Sequence, residues 1–279
     1  MTTAGDFIRL SKTDSCNQLD CGMRPSSYVA WSGFYIPQVT EKEIEFYSKI
    51  RIKAEKDVKS LLTLSVNEAL ADNVKVLEGT VGMELMAFCS TPASFAEIVR
   101  NTVQKYSDRL ELRPYLGINT DAGENMSLAR SFISGGVFSG TDFYGHSCSE
   151  HPEYFAETAA ELHEAGLRVK FNASHIESVQ QLEKVLEFLK PDIISGFNNA
   201  LLDQCADLLA AHKTEVCFSP DAQDVKETAA CIKKLTERKI SVKLGSSKIL
   251  YHNHTLSDFA SELCNTGLLS AEFVTSLFC

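Results

Sequence analysis

Hydrophobic and polar positions along the chain alternate between two patterns. Short runs rich in β-branched and aromatic residues, each closed by small or polar residues, recur eight times: Thr13–Leu19, Val74–Thr80, Leu110–Asn119, Gly136–Asp142, Leu167–Asn172, Asp192–Gly196, Thr214–Ser219 and Ile240–Gly245. Continuous apolar or mixed runs of this length are expected of parallel strands covered on both faces. Helical stripes fill the intervals. Phe155, Ala159, Leu162 and Ala165 share one face of a segment opened by Pro152 and ended by Gly166. Val179, Leu182, Leu186 and Leu189 form a stripe that stops at Lys190-Pro191, and two further stripes follow at Leu201, Cys205, Leu208 and Leu209 and at Val225, Ala229, Ile232 and Leu235. The last five strand starts lie 31, 25, 22 and 26 residues apart, each the length of one strand–loop–helix unit. Eight such units, with no Gly/Ser-rich linker between them, predict an α/β fold: one (β/α)8 TIM barrel spanning residues 1–279.

The interval between the first two strands is longer than the rest. Arg24-Pro25 begins it, Trp31–Tyr35 is aromatic, and Glu41–Leu64 has helical spacing at Ile44, Tyr47, Ile50, Ala54, Val58 and Leu61. It predicts extra outer helices between strands one and two.

Composition narrows the function classes. With 27 Lys+Arg against 37 Asp+Glu, a net charge of −10, and no basic cluster, the chain lacks the positive footprint of a nucleic-acid partner. No apolar stretch is long enough to span a bilayer, and the opening MTTAGDFIRL lacks the pattern of a secretory signal. The expectation is a cytoplasmic protein with reduced thiols: its nine cysteines are irregularly spaced and form no CxxC pair. No cofactor is expected.

In such a barrel the functional site lies at the carboxyl ends of the strands. Those ends carry Cys16, Gln18 and Asp20 after strand one, Glu78 and Thr80 on strand two, and Asp142, Gly145 and His146 after strand four. Asn172 and His175 follow strand five, Ser195 ends strand six, Ser219 and Asp221 follow strand seven, and Gly245 and Ser246 follow strand eight.

Several of these segments carry a family pattern. Lys12-Thr13-Asp14-Ser15-Cys16-Asn17-Gln18-Leu19-Asp20 followed by Arg24-Pro25 resembles the K-T-D-L-H-x-H-L-D…R-P opening of the adenosine deaminase family. Ser139–Gly145 resembles its G-x-D-L-A-G segment, and Gly166–His175 its G-L-x-x-T-x-H-A-G-E. Asp192–Gly196 stands where the family has R-I-G-H-G, Glu215-Val216-Cys217 with Asp221 is similar to E-x-C-P-x-S-N, and Ile240–Ser246 takes the place of V-S-x-N-T-D-D. The order is kept from about residue 8 to 275.

The resemblance implies a metal-dependent hydrolase barrel acting on purine nucleosides, with zinc held by two His after strand one, one His after strand five and an Asp after strand eight. Here those four positions read Cys16, Gln18, Asn172 and Gly245. The family's proton-donating Glu corresponds to His175, its water-orienting His to Ser195, and the second Asp of T-D-D to Ser246. Amides are poor zinc ligands and glycine has no side chain, so one competent ligand remains, and one does not hold a catalytic metal. The resemblance therefore implies no metal and no family-type catalysis: a pseudoenzyme.

Three readings follow. In the first, the barrel is kept for binding a purine nucleoside, another small molecule or a protein partner, with Cys16, Gln18, Asp20, Gly145, Asn172, His175, Ser195 and Asp221 around the mouth. In the second, the enzyme is re-purposed, with Cys16 and His175 as a nucleophile pair or with His146, Cys148 and His151 joining a rearranged metal site. In the third, purine deaminase activity persists with a displaced metal. His252 and His254 lie beyond strand eight on an expected surface loop, His163 and His212 fall on helix faces or ends, and Cys205, Cys231 and Cys264 sit on apolar stripes expected to pack the core.

Overall fold

The computed structural model describes residues 2–34, 51–122, 126–220 and 224–278. Eight parallel strands pair in sequence order: β1 (Lys12–Gln18), β2 (Val74–Gly82), β3 (Glu111–Asn119), β4 (Gly140–Tyr144), β5 (Arg168–Asn172), β6 (Ile193–Ser195), β7 (Glu215–Phe218) and β8 (Val242–Leu244). Helices connect them on the outside, so the molecule is a (β/α)8 TIM barrel. Each of the eight predicted runs overlaps a strand. The fourth strand begins later than its run because the run opens in a turn, with Gly136 at φ +63°; the Ser139 amide then donates to the Pro114 carbonyl of β3 at 2.7 Å.

The sheet closes between β8 and β1 by a single parallel bridge, Asn17↔Ser247. The Gln18 amide donates to the Ser247 carbonyl, and the Ser247 amide to the Cys16 carbonyl at 2.6 Å. On its other side β1 is bulged: Asp14 pairs with Leu77 and Asn17 with Gly79, leaving Ser15 and Cys16 opposite Glu78 alone.

The outer face of the sheet meets the helices in one hydrophobic core that includes Leu77, Leu116, Phe143, Phe171, Ile194 and Leu244. The predicted stripes supply the other side: Leu162 in the helix Ala156–Glu164, Leu182 and Leu186 in Val179–Phe188, Cys205 and Leu209 in Asn199–His212, and Ile232 and Leu235 in Val225–Glu237 are buried. Cys205, Cys231 and Cys264 pack in that core, as expected of apolar-stripe positions.

Between β1 and β2 the helix Glu55–Ala71 fills the place of the repeat's own helix, and Pro25–Ser32 is extra to it. The predicted Glu41–Leu64 helix falls partly on residues 41–50, outside the described residues, and its second half lies within Glu55–Ala71. Arg24 ties this segment to the far end of the chain, bonding Glu68 and Asp258 at 2.9 Å each.

Candidate functional site

A cavity of about 250 Å³ opens at the carboxyl ends of the strands. Gln18 and Asn172 form part of its floor, Asp20, Glu84, Asn119 and Asp121 are acidic or amide groups on its walls, and Tyr144, Tyr251, His175 and Lys248 complete the lining with Gly145. Of the residues predicted around the mouth, Gln18, Asp20, Gly145, Asn172 and His175 meet here. Cys16 and Ser195 are buried and are not part of this lining. Asp221 lies outside the described residues.

Gly145 shows why the β4 end needs glycine. Its φ is +113°, and a Cβ would stand 2.8 Å from Thr120 Oγ1 and 2.9 Å from Asp121 Oδ2. These oxygens are in use: Asp121 accepts from the amides of His146 and Ser147, at 2.8 Å each, and Thr120 from the amide of Cys148 at 3.1 Å. They anchor a short helix, His146–Glu150, where sequence reading expects a polar loop. Burial pushes the Asp121 carboxyl up, but the amides of Ser147 and His146, with the Ser147 side chain, together outweigh it and hold the group below the ordinary carboxylate range.

The helix sets His146 over His175, with ring centroids 3.8 Å apart. Burial first, and His146 second, push His175 below the usual histidine value. Cys148 turns inward, its thiol donating to the Gly145 carbonyl at 3.3 Å, and burial raises it to about 11. His151 faces Glu153 instead, at 3.3 Å. His146, Cys148 and His151 therefore point three different ways. His254 pairs with Glu262 at 3.1 Å and His163 with Asp192 at 3.5 Å.

At the floor, the four positions that would hold zinc in the family pattern do not fit the ion. Gln18 and Asn172 offer amides, and Asn172 Oδ1 already accepts from the Ser174 amide at 3.0 Å. Cys16 packs with Cys217 and Ile193 in a small cluster separate from the main core. Its hydrogen bond to Cys217, together with burial, drives the Cys217 thiol well above its ordinary value. Gly245 lacks a ligand and has no room for one: a Cβ there would stand 2.6 Å from Cys16 Cβ, 2.7 Å from its carbonyl and 2.8 Å from its amide nitrogen. The bulged backbone of β1 fills the cradle in which a ligand from β8 would sit.

Ser246 has become part of the seam between β8 and β1. Its amide donates to Asp14 Oδ1 at 3.0 Å, its hydroxyl donates to Asp14 Oδ2, and it accepts from Asn17 Nδ2 at 2.8 Å. Glu78, named among the strand ends, is buried in the barrel interior, and so is Lys170, which the sequence pattern alone does not mark as a site residue. The signal in the sequence is a lysine at the centre of a strand whose neighbours Val169 and Phe171 are apolar.

No family model matches the chain. It is 24% identical over 280 residues to a Treponema pallidum (strain Nichols) protein named "Putative adenosine/adenine deaminase", covering 93% of each chain. The fold is similar to Arabidopsis ADAL complexed with GMP, with a TM-score of 0.75 at 14% identity, covering 98% of this chain and 91% of that one. It is also similar to an amidohydrolase from Burkholderia ambifaria with bound Zn, with a TM-score of 0.68 at 13% identity, covering 99% and 91%.

Proposed function

We propose that this protein is a binding member of the adenosine deaminase-like family, holding a purine nucleoside or nucleotide in the barrel mouth without zinc-dependent deamination. The observation that carries this reading is that Gln18 and Asn172 present amides to the cavity and that, below it, Cys16 fills the space beside Gly245. Hydrolytic deamination in the family manner needs a metal to bring bound water within reach of neutral pH, and a positioned acid and base to move its protons. Neither amide supplies those functions, and His175 and Ser195 stand at the positions of the acid and the base.

The rest of the mouth suits a ligand. Tyr144, Tyr251 and His175 bring aromatic rings to the lining, while Asp20, Asn119 and Lys248 bring polar groups, a mixture suited to a flat heterocycle and its sugar. The comparison protein crystallised with GMP carries a ligand of this class in the same fold. A Cys16–His175 nucleophile pair gains no support, because the Cys16 thiol meets Cys217 below the cavity while His175 stacks on His146 at its rim.

The test combines three measurements on protein purified without chelator. A thermal-shift panel of adenosine, inosine, AMP, N6-methyl-AMP, IMP and GMP is expected to show stabilisation by at least one. Elemental analysis is expected to give well under one equivalent of zinc, and the absorbance of adenosine and N6-methyl-AMP to stay constant. One equivalent of zinc with turnover overturns the proposal in favour of a deaminase, and a flat panel overturns the nucleotide-binding part.

A further inference from the structure

Lys170 stands on β5 two residues before Asn172, so it faces the same interior one layer deeper, and it is 2% exposed. Its side chain crosses the barrel to the opposite strands. The ammonium donates to the Ser15 carbonyl of β1 at 2.6 Å and pairs with Glu78 Oε2 of β2 at 3.1 Å. It also lies 3.9 Å from the centroid of the Tyr115 ring of β3. Burial opposes its charge, but Glu78 first, then Tyr115, Cys16 and Asp142, outweigh that and keep the ammonium protonated.

Two of these contacts meet at the β1 bulge. Ser15, which takes the shortest bond, is one of the two residues that stand against Glu78 alone; Cys16, the other, is the residue whose backbone fills the space beside Gly245. Glu78, the partner on β2, marks the strand position that the bulge spans. One side chain thus joins the two strands across which β1 is irregular.

We propose that Lys170 is the resident cation of this barrel, a positioning residue whose ammonium pins the β1 bulge and so keeps the cradle beside Gly245 filled by protein. The pocket floor then holds its shape by a tethered charge, and the absence of a ligand at residue 245 is locked in by a residue on β5. An ion pair with Glu78 that served stability alone would have no reason to interact with Gly245; a pin on the bulge would.

A double-mutant cycle separates the two. Gly245→Ala is expected to lower the Tm of the wild type by several degrees, as its Cβ is forced against Cys16. In a Lys170→Met background, where the bulge is released, the same substitution is expected to cost less than half as much. Arg113 and Arg168 also stand 3.5 and 3.6 Å from Glu78 Oε1 in the wild type, so removing Lys170 leaves the carboxylate with cationic neighbours. Additive losses overturn the proposal. Native-state alkylation provides a readout that does not need Gly245→Ala to fold. In Lys170→Met the Cys16 thiol is expected to label about tenfold faster than in the wild type, while buried Cys205 is unchanged, a difference of about 1.4 kcal/mol in local opening. Equal labelling of Cys16 in both proteins overturns the proposal as well.

Discussion

Asp14 and Asp142 are both buried carboxyl groups inside the barrel, yet their oxygens meet different surroundings. Asp14 accepts from the Ser246 amide, the Ser246 hydroxyl, Asn17 Nδ2 at 3.3 Å and the Cys16 amide at 3.4 Å. Asp142 Oδ2 takes the Thr80 hydroxyl at 2.7 Å, and the Gln18 side chain and Lys170 are its other polar neighbours. Burial raises the pKa of both, and for Asp142 the Thr80 hydroxyl, Lys170 and Gln18 only partly offset it. Asp14→Asn puts an amide where donors already converge, and is expected to cost about 1–3 kcal/mol in urea unfolding. Asp142→Asn is expected to stay within about 1 kcal/mol at neutral pH. A carboxyl raised on folding contributes stability below its unfolded value, and that contribution is lost as pH rises through the folded value. The Asp142→Asn variant should therefore gain on the wild type as pH rises above the ordinary aspartate value. A constant difference across that range would show that Asp142 folds as a stable anion. Asp142 was legible in the sequence, because it falls within the Gly140–Gly145 stretch of the family pattern. Lys170 was not, because its part depends on a carbonyl 155 residues away at a bulge that no periodicity announces.

The short helix His146–Glu150 carries the same lesson at the scale of an element. Its five residues are too few to show a stripe, and its start is fixed by Asp121 from the preceding loop, so the sequence around His146 reads as polar connection. The longer outer helices, with apolar positions spaced at three and four, and the eight strand runs were legible because burial against a single core imposes that spacing. The helix places His146 against His175, with Asp121 and Glu177 the acidic groups that face the pair. His175 is shifted down on folding, so the unfolded chain takes up its proton first. Its contribution to stability is present above the ordinary histidine range and is lost as pH falls through that range toward the lower folded value. His175→Gln is therefore expected to flatten the fall in Tm between about pH 7 and pH 5. An unchanged slope would assign the fall to other groups.

The molecule as a whole is a ring whose seams are unequal. The β2–β3 pairing runs without a break from Val76↔Glu111 to Gly82↔Gly117, whereas β8 and β1 share the one bridge Asn17↔Ser247. What holds the weak seam is a set of side chains from both strands: Asp14 and Asn17 on β1, and Ser246 beyond the end of β8. Ser246 supports the closure of the barrel through these bonds. A ring opens first at its least bonded joint, so local opening is expected at β8–β1 before β2–β3. Native-state amide exchange should then find the amides of Gln18 and Ser247, which bond across the seam, less protected than those of β3. Ser246→Ala removes the hydroxyl that both donates to Asp14 and accepts from Asn17. It is expected to lose about 1–3 kcal/mol of protection at those two amides, with a smaller loss in β3. Equal losses in both regions would mean that the barrel opens only as a unit and that Ser246 contributes to global stability alone. A loss confined to the seam would give Ser246 a measured structural role at the joint that closes the barrel, distinct from any share in global stability.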